Sequence, residues 1–231
     1  MRVTIGCPVR SRDWILPRWF THAELAAEMA GVKTEYVFVG ADDDPSHQVI
    51  KDHCPSKFTY VDSQETVKPE RGHYWNPTEY RHMVSMRNFL LQAARRTEPD
   101  YFLSLDSDIL LHEDALFNML ESIQQGWDAV GGKCWMSDSR DACSYILLIN
   151  SHGQYRPDSS IVMPVDVIMA CKLMAPSALA VDYTFDLDGE DVGWSRAATA
   201  RGLKLAWDGR VCSKHVMHRF QLDGIDPRCG F

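Results

Sequence analysis

Short apolar runs typical of buried strands recur through the first half of the chain. They lie at residues 2–9, 35–40 and 100–105, where four or more apolar side chains stand almost without a break. Pro8 is expected to end the first run, and the sequence "ADDDPS" after the second has the composition of a turn. The polar stretch that continues to about Trp75 shows no clear period, so we interpret it as irregular.

Amphipathic segments separate these runs. Residues 16–31, 79–96 and 113–126 repeat apolar positions at steps of three and four, which predicts helices with one buried face. In the first segment, Pro17 falls in the opening turn and Gly31 marks the end. The expected buried faces of the other two carry Met83, Met86, Leu90 and Ala93, and then Leu116, Leu120 and Ile123.

The second half of the chain is less regular. Residues 127–136 and 164–174 are interpreted as strands, and residues 189–202 as a helix that opens with acids and ends at Gly202. Residues 203–218 return to an extended pattern. Alternation of strands and helices of these lengths predicts an α/β fold with a mostly parallel sheet. In such sheets, ligands bind at the carboxyl ends of the strands.

Composition narrows the function classes. The 231 residues suit a single domain, and the net charge of −8 gives no electrostatic support for non-specific nucleic-acid binding. No run of apolar residues is long enough to span a membrane, and no signal segment is recognisable at the first residues. The seven cysteines are scattered without a C-x-x-C pair, which favours free thiols. We therefore expect a cytoplasmic protein.

Two aspartates, Asp106 and Asp108, follow the third apolar run in "DYFLSLDSDILLH". On a fully extended strand they would point to opposite sides, so the chain must turn at Ser107 for both to reach one ligand. Mg²⁺ and Mn²⁺ take oxygen ligands, commonly one or two carboxylates together with substrate phosphates. The residues alone leave two interpretations open: a metal site for a nucleotide diphosphate, or a polar strand end that caps the next helix.

The surroundings of this pair resemble a known family. Residues 86–116, "MRNFLLQAARRTEPDYFLSLDSDILLHEDAL", are similar to the central segment of nucleotide-sugar-dependent glycosyltransferases of the GT-A fold, in which an Arg-Asn helix precedes an apolar strand and a DxD motif. Residues 185–216, "FDLDGEDVGWSRAATARGLKLAWDGRVCSKHV", resemble its acidic acceptor-side motif, helix, glycine, strand and late histidine. The resemblance implies one GT-A-like domain over residues 1–231. A Rossmann-like nucleotide-binding half would take about residues 1–110, and a smaller acceptor and metal half residues 111–231.

The resemblance also implies a metal site. Asp108 would be the direct ligand, and Asp106 would contact the ribose of the donor or the metal. His215 lies where the family often supplies a third ligand, with His218 as its rival. An imidazole ligand suits Mn²⁺ better than Mg²⁺, so the expected cofactor is Mn²⁺.

Substrate contacts follow from the same resemblance. Asp191 would remove the proton of the acceptor hydroxyl in an inverting enzyme, with Glu190 orienting the acceptor; in a retaining enzyme both would only position substrates. The residues expected to bind the donor nucleotide are Pro8, Val9, Arg10, Asp42, Asp43, Asp44, Arg87, Asn88 and Asp106. The aspartates at 42–44 also suit a plain turn, and acids at 190–191 a plain helix start.

The sequence therefore predicts a metal-dependent glycosyltransferase that moves a sugar from a UDP- or GDP-type donor to an acceptor hydroxyl. The acceptor stays open between a glycan, a metabolite, a protein and a hydroxylated DNA base. A nucleotidyltransferase would usually carry a glycine- and basic-rich loop after the first strand, which "GCPVRSRDW" matches poorly. A non-catalytic nucleotide-sugar or nucleic-acid binding module is the other alternative. Tyr74 and Trp75, in a stretch that matches no family feature, could stack on a base or sugar.

Overall fold

A computed structural model describes residues 1–63, 76–135, 149–150, 153–154, 162–169 and 171–222. The expected aromatic contacts of Tyr74 and Trp75 fall outside these ranges, as do Cys143 and Cys229. Cys7, Cys54, Cys134, Cys171 and Cys212 are free thiols. No helix of the described part of the chain combines the length and the apolar content that a membrane crossing requires.

Helices and strands alternate through most of the described residues. The helices are α1 (Leu16–Ala30), α2 (Pro45–His53), α3 (Pro77–Arg95), α4 (Ala115–Ile123), α5 (Pro176–Leu179) and α6 (Glu190–Ala200), with a 3₁₀ turn at Arg219–Leu222. The strands are β1 (Arg2–Pro8), β2 (Lys33–Gly40), β3 (Phe58–Asp62), β4 (Tyr101–Ser104), β5 (Ile109–Leu111), β6 (Ala129–Trp135), β7 (Ile149–Asn150), β8 (Gly153–Gln154), β9 (Val162–Pro164), β10 (Lys172–Met174) and β11 (Leu205–His215).

One large sheet organises the fold, and its order is β3-β2-β1-β4-β10-β6-β11-β5, with β9 paired to β11. The pairs from β3 to β4 are all parallel, and β6 also runs parallel to β11. Strand β10 lies antiparallel between β4 and β6, and it so joins the parallel strands β3-β2-β1-β4 to the strands β6, β11 and β5. The α/β fold with a mostly parallel sheet is thereby confirmed.

The long periodic segments formed the elements that their patterns predict. Gly31 ends α1 with a φ of 64°, a left-handed conformation that glycine adopts without a Cβ clash. Met86, Leu90 and Ala93 of α3 are buried as expected, and Met83 is partly exposed. On the opposite face of the sheet, the rings of Trp19, Phe20, Tyr36 and Phe38 pack between α1 and β2.

Two predictions about local structure were wrong. The stretch interpreted as turn and irregular chain contains α2 and β3, because the Asp44 side chain accepts from Ser46 N and caps a helix that its polar sequence does not reveal. Residues 164–174 do not form one strand, and only their ends belong to β9 and β10. Val165, Val167 and Ile168 are buried there without strand pairing, and Cys171 has a φ of 62°, which breaks an extended chain.

Candidate active site

The two aspartates stand beyond the carboxyl end of β4, next to the end of β1. Leu105 N donates to Gly6 O at 2.9 Å, which keeps the chain beside β1 after β4 has ended. Ile109 N then donates to Asp106 O at 3.0 Å, so the chain turns around Ser107 as the D-x-D interpretation requires. Ser107 is buried, whereas Asp106 and Asp108 are both partly exposed. Both carboxylates therefore lie at the ligand-binding edge of the sheet.

Asp108 has two cationic or polar partners from distant parts of the chain. Its Oδ2 lies 3.1 Å from Arg12 Nη2 and 3.3 Å from His215 Nε2. Burial raises the pKa of Asp108, but the contacts with His215 and Arg12 outweigh burial and lower it below its ordinary value. For His215, burial lowers the pKa and the Asp108 contact raises it, with a net rise. The Asp108 carboxylate is thus held in its charged form.

Asp106 is paired with a buried arginine that also reaches the acidic start of α6. Arg87 of α3 lies with Nη1 2.6 Å from Asp106 Oδ1 and Nη2 3.6 Å from Glu190 Oε1. Burial lowers the pKa of Arg87, but the surrounding charges, Asp106 first, raise it well above its ordinary value. For Glu190, burial and the neighbouring Asp191 raise the pKa while Arg87 opposes them. Arg87 therefore connects Asp106 to Glu190 at the start of α6.

A lysine that sequence reasoning missed completes this network. Lys172 of β10 is fully buried, and its Nζ donates to Asp191 Oδ1 at 2.5 Å and to Ile168 O at 3.2 Å. The sequence did contain a signal, because a single lysine inside the apolar run "VIMACKLM" must find a partner if that run is buried. No local spacing indicates that the partner is Asp191.

The side chain of Asn88, a residue expected to bind the donor, forms two hydrogen bonds with the backbone of Tyr183. It donates to Tyr183 O at 3.0 Å and accepts from Tyr183 N at 2.8 Å. This pair of bonds fixes the backbone of Tyr183, whose ring centroid lies 5.9 Å from the Arg87 guanidinium and 5.2 Å from the Lys172 ammonium. Asn88 therefore supports the site through the chain that leads into α6.

The residues expected to hold the nucleotide lie where β1 and β2 end. Val9 N donates to Val39 O at 2.9 Å, which joins the two strand ends, and Arg10 is exposed beyond them. Asp42 and Asp43 are exposed, but Asp44 is only 3% exposed. Asp44 accepts from Ser46 N at 2.8 Å and from Ser11 N at 2.7 Å, so its carboxylate is engaged in holding two backbone segments together.

The side chains at this edge supply only part of the ligand set of a divalent cation. Within the ranges that the structure describes, no group of three or more His, Cys, Asp or Glu side chains is placed to hold a metal ion. Asp108 and His215 nevertheless converge to 3.3 Å, about the separation of adjacent ligands on one Mn²⁺ or Mg²⁺ ion. His218 is exposed and stacks on Phe220 at 5.4 Å, so the histidine beside Asp108 is His215. Two protein donors are compatible with a site that substrate phosphates complete.

An open surface hollow adjoins the acidic start of α6. It is lined by Phe185, Asp186, Leu187, Asp188 and Arg196. Leu187 is 73% exposed, and the ring of Phe185 lies under the guanidinium of Arg81 at 4.2 Å. The hollow thus offers both apolar and charged groups, and one of its lining residues, Asp188, is two positions before Glu190 in the chain.

Asp44 is expected either to bind the donor nucleotide or to stabilise a turn, and its contacts lead to a stability prediction. We expect Asp44→Ala to lower the free energy of unfolding by roughly 1–2 kcal/mol or more, because it removes a helix cap and leaves Ser11 N without its acceptor. Asp43→Ala, at an exposed neighbouring position, should change it by less than about 0.5 kcal/mol. Urea unfolding measures both variants. Equal stabilities would show that Asp44 does not hold these segments.

The fold was compared with known proteins. No protein-family model matches the chain, and no curated protein matches it in sequence. Among solved structures, S. aureus TarS 1–349 in complex with UDP-GlcNAc aligns with a TM-score of 0.59 at 11% identity, over 98% of this chain and 62% of that one. GalNAc-T7 with UDP, GalNAc and Mn²⁺ aligns with a TM-score of 0.61 at 9% identity, over 99% of this chain and 46% of that one.

A third neighbour, A197 from STIV, aligns with a TM-score of 0.52 at 11% identity, over 95% of this chain and 87% of its own. The chain thus spans less than two thirds of the TarS fragment and about half of GalNAc-T7. At these identities the likeness concerns the fold alone. The chain has the GT-A fold, as the sequence resemblance implied.

Proposed function

We propose that the protein is a metal-dependent glycosyltransferase that moves a sugar from a UDP- or GDP-type donor to an acceptor hydroxyl. The observation that carries the proposal is the charge network at the carboxyl edge of the sheet. There, Arg87 lies within 2.6 Å of Asp106 and within 3.6 Å of Glu190, so donor-side and acceptor-side acids share one cation. The GT-A neighbours TarS and GalNAc-T7, in complexes with UDP-GlcNAc and with UDP and Mn²⁺, support a donor of this class.

The diphosphate of the donor would lie against Asp108 and its partners. Asp108 and His215 would hold Mn²⁺, or Mg²⁺, which when bound supplies positive charge to the leaving diphosphate. Arg12 and Arg87 add two guanidinium groups at the same edge, and guanidinium geometry suits phosphate oxygens. Asp106 would contact the ribose or the metal. The loop at residues 8–10 and the aspartates at 42–44 would border the base and ribose.

The acceptor would approach the start of α6. Asp191 takes the proton of the acceptor hydroxyl, which direct displacement at the sugar requires, and Glu190 orients the acceptor. The exposed hollow around Phe185 and Leu187 would contact the acceptor beyond the reacting hydroxyl. A glycan, a metabolite, a protein or a hydroxylated DNA base would all offer the hydroxyl that this chemistry needs.

The two alternatives fit the site less well. A nucleotidyltransferase would place basic and glycine residues in the loop after β1, but the backbone there is held by Val9 and Asp44 and contains no glycine between Pro8 and Asp13. A binding module would have no use for two carboxylates buried at the acceptor side, because burial of charge costs free energy that binding a neutral acceptor does not recover.

Donor turnover provides the first test. We expect one member of a panel of UDP- and GDP-sugars to release its nucleoside diphosphate in the presence of Mn²⁺, and EDTA to abolish the release because the leaving charge is then uncompensated. Coupled detection of UDP and GDP measures it. Absence of metal-dependent release from every donor, with a range of hydroxyl compounds present, would contradict the proposed enzyme.

Separate variants test the division of roles between the two acids. Asp108→Asn should weaken Mn²⁺-dependent donor binding by at least about tenfold, because it removes a metal ligand. Asp191→Asn should spare donor binding but lower the transfer rate by roughly 10²–10⁴, the usual contribution of a general base. Calorimetry and initial rates measure the two effects.

Asp208→Asn is the matched control, since Asp208 is a fully buried carboxylate in an ion pair with Arg210 at 2.8 Å. Its partners are Arg210 and Ser122 of α4, whose Oγ lies 2.7 Å from Asp208 Oδ2, and neither of them contacts Asp108 or Asp191 in the described structure. This variant should lose stability without a comparable change in donor affinity or rate. Equal loss of donor affinity in Asp108→Asn and Asp191→Asn would refute the separate roles.

A further inference from the structure

Lys172 occupies a position in which a charge is costly. Its side chain has no exposed surface, and it lies on the antiparallel strand between β4 and β6 in the middle of the sheet. Its ammonium is 4.7 Å from the centroid of the Trp194 ring and 5.2 Å from that of Tyr183. A buried pair such as Lys172–Asp191 can often be replaced by apolar residues without loss of stability. Folding alone therefore gives little reason for a lysine here.

The charges around Asp191 explain why a cation is needed. The groups that face it are Lys172 from β10, Arg87 from α3, Tyr183 from the segment before α6, and Glu190 beside it on α6. Glu190 and Asp191 are adjacent carboxyl groups, and Arg87 is already engaged with Asp106 and Glu190. Without Lys172, adjacent buried carboxylates would compete for one guanidinium, and one of them would be driven toward its protonated form.

We propose that Lys172 is a positioning residue that pairs with the Asp191 carboxylate and fixes its orientation for proton abstraction from the acceptor. The inference rests on the proposed transferase function and names a residue for it that the family resemblance did not supply. Lys172 engages Oδ1 of Asp191, and the hydrogen bond from Nζ to Ile168 O fixes the ammonium itself. The other carboxylate oxygen, Oδ2, would then accept the proton of the acceptor hydroxyl.

The ion pair can be tested without any enzymatic assay. Lys172→Met leaves a buried carboxylate without its cation, whereas Lys172→Met combined with Asp191→Asn leaves two neutral side chains of similar size. The double variant should therefore unfold at a higher urea concentration than Lys172→Met alone. A double variant that is less stable than Lys172→Met would overturn the inference, whatever the protein catalyses.

The positioning role is tested by kinetics with the donor that the panel identifies. At about pH 6.5, Lys172→Met should lower kcat about tenfold or more and leave the donor KM within about twofold, because an unpaired buried carboxylate is protonated more readily. At about pH 8.5 the loss should shrink, because the carboxylate is ionised again. Lys172→Arg, which keeps the cation, should show a smaller loss that does not depend on pH.

Arg210→Met is the control, because it removes the cation from a buried carboxylate, Asp208, whose other side-chain partner in the described structure is Ser122 of α4 and not a residue of α6. It should lower stability and leave the pH profile of kcat unchanged.

A Lys172→Met variant with wild-type kcat would refute the positioning role. A variant whose kcat falls by the same factor at both pH values would refute it too. If Lys172→Met does not fold, Lys172→Arg still tests the role. A loss of kcat in Lys172→Arg that is present at about pH 6.5 and absent at about pH 8.5 would refute the positioning role as well. Absence of donor turnover in the wild-type protein would instead refute the transferase, and the unfolding comparison would still decide whether the pair exists.

Discussion

Neutralisation of the carboxylates gathered at the carboxyl edge of the sheet, two of them buried and two partly exposed, is the constraint on which this structure depends. Four acids meet at the carboxyl edge of the sheet, and each lies beside a cation: Asp108 beside Arg12, Asp106 and Glu190 beside Arg87, and Asp191 beside Lys172. A carboxylate taken out of water without such a partner would be protonated or would destabilise the fold. The site can keep its negative charges only because three basic side chains are brought to them.

The fold supplies those cations from separate elements. Arg12 comes from the loop between β1 and α1, where its backbone N–H donates to Ser46 Oγ at 2.8 Å. Arg87 reaches the site from α3, one of the helices that cover the sheet, and Lys172 comes from within the sheet on β10. The antiparallel insertion of β10 therefore has a consequence for chemistry, since it carries the Lys172 charge to the centre of the sheet.

Sequence patterns were reliable where the structure is local. The segments with helical period became α1, α3 and α4, because one apolar face per helix is enough to dock it on a sheet, and α6 formed where opening acids and Gly202 had predicted a helix. The chain also turns between Asp106 and Asp108, as one ligand shared by both carboxylates would require. Helix α2 was missed because its stability comes from the Asp44 cap and from contacts with the loop of Ser11, which hydropathy does not record. Residues 164–174 were misread because burial, rather than strand pairing, accounts for their apolar side chains.

The sequence by itself determined the α/β class, the order of the main elements and the acids that line the candidate site. These follow from periodicity and from short motifs whose residues are close in the chain. Only the tertiary structure decided which cation neutralises which acid: Arg12 and Asp108 are 96 positions apart, and the lysine of β10 meets an acid of α6. Such pairings arise when strands and helices far apart in sequence pack together, and no local spacing encodes them, because an ion pair depends on distance in space.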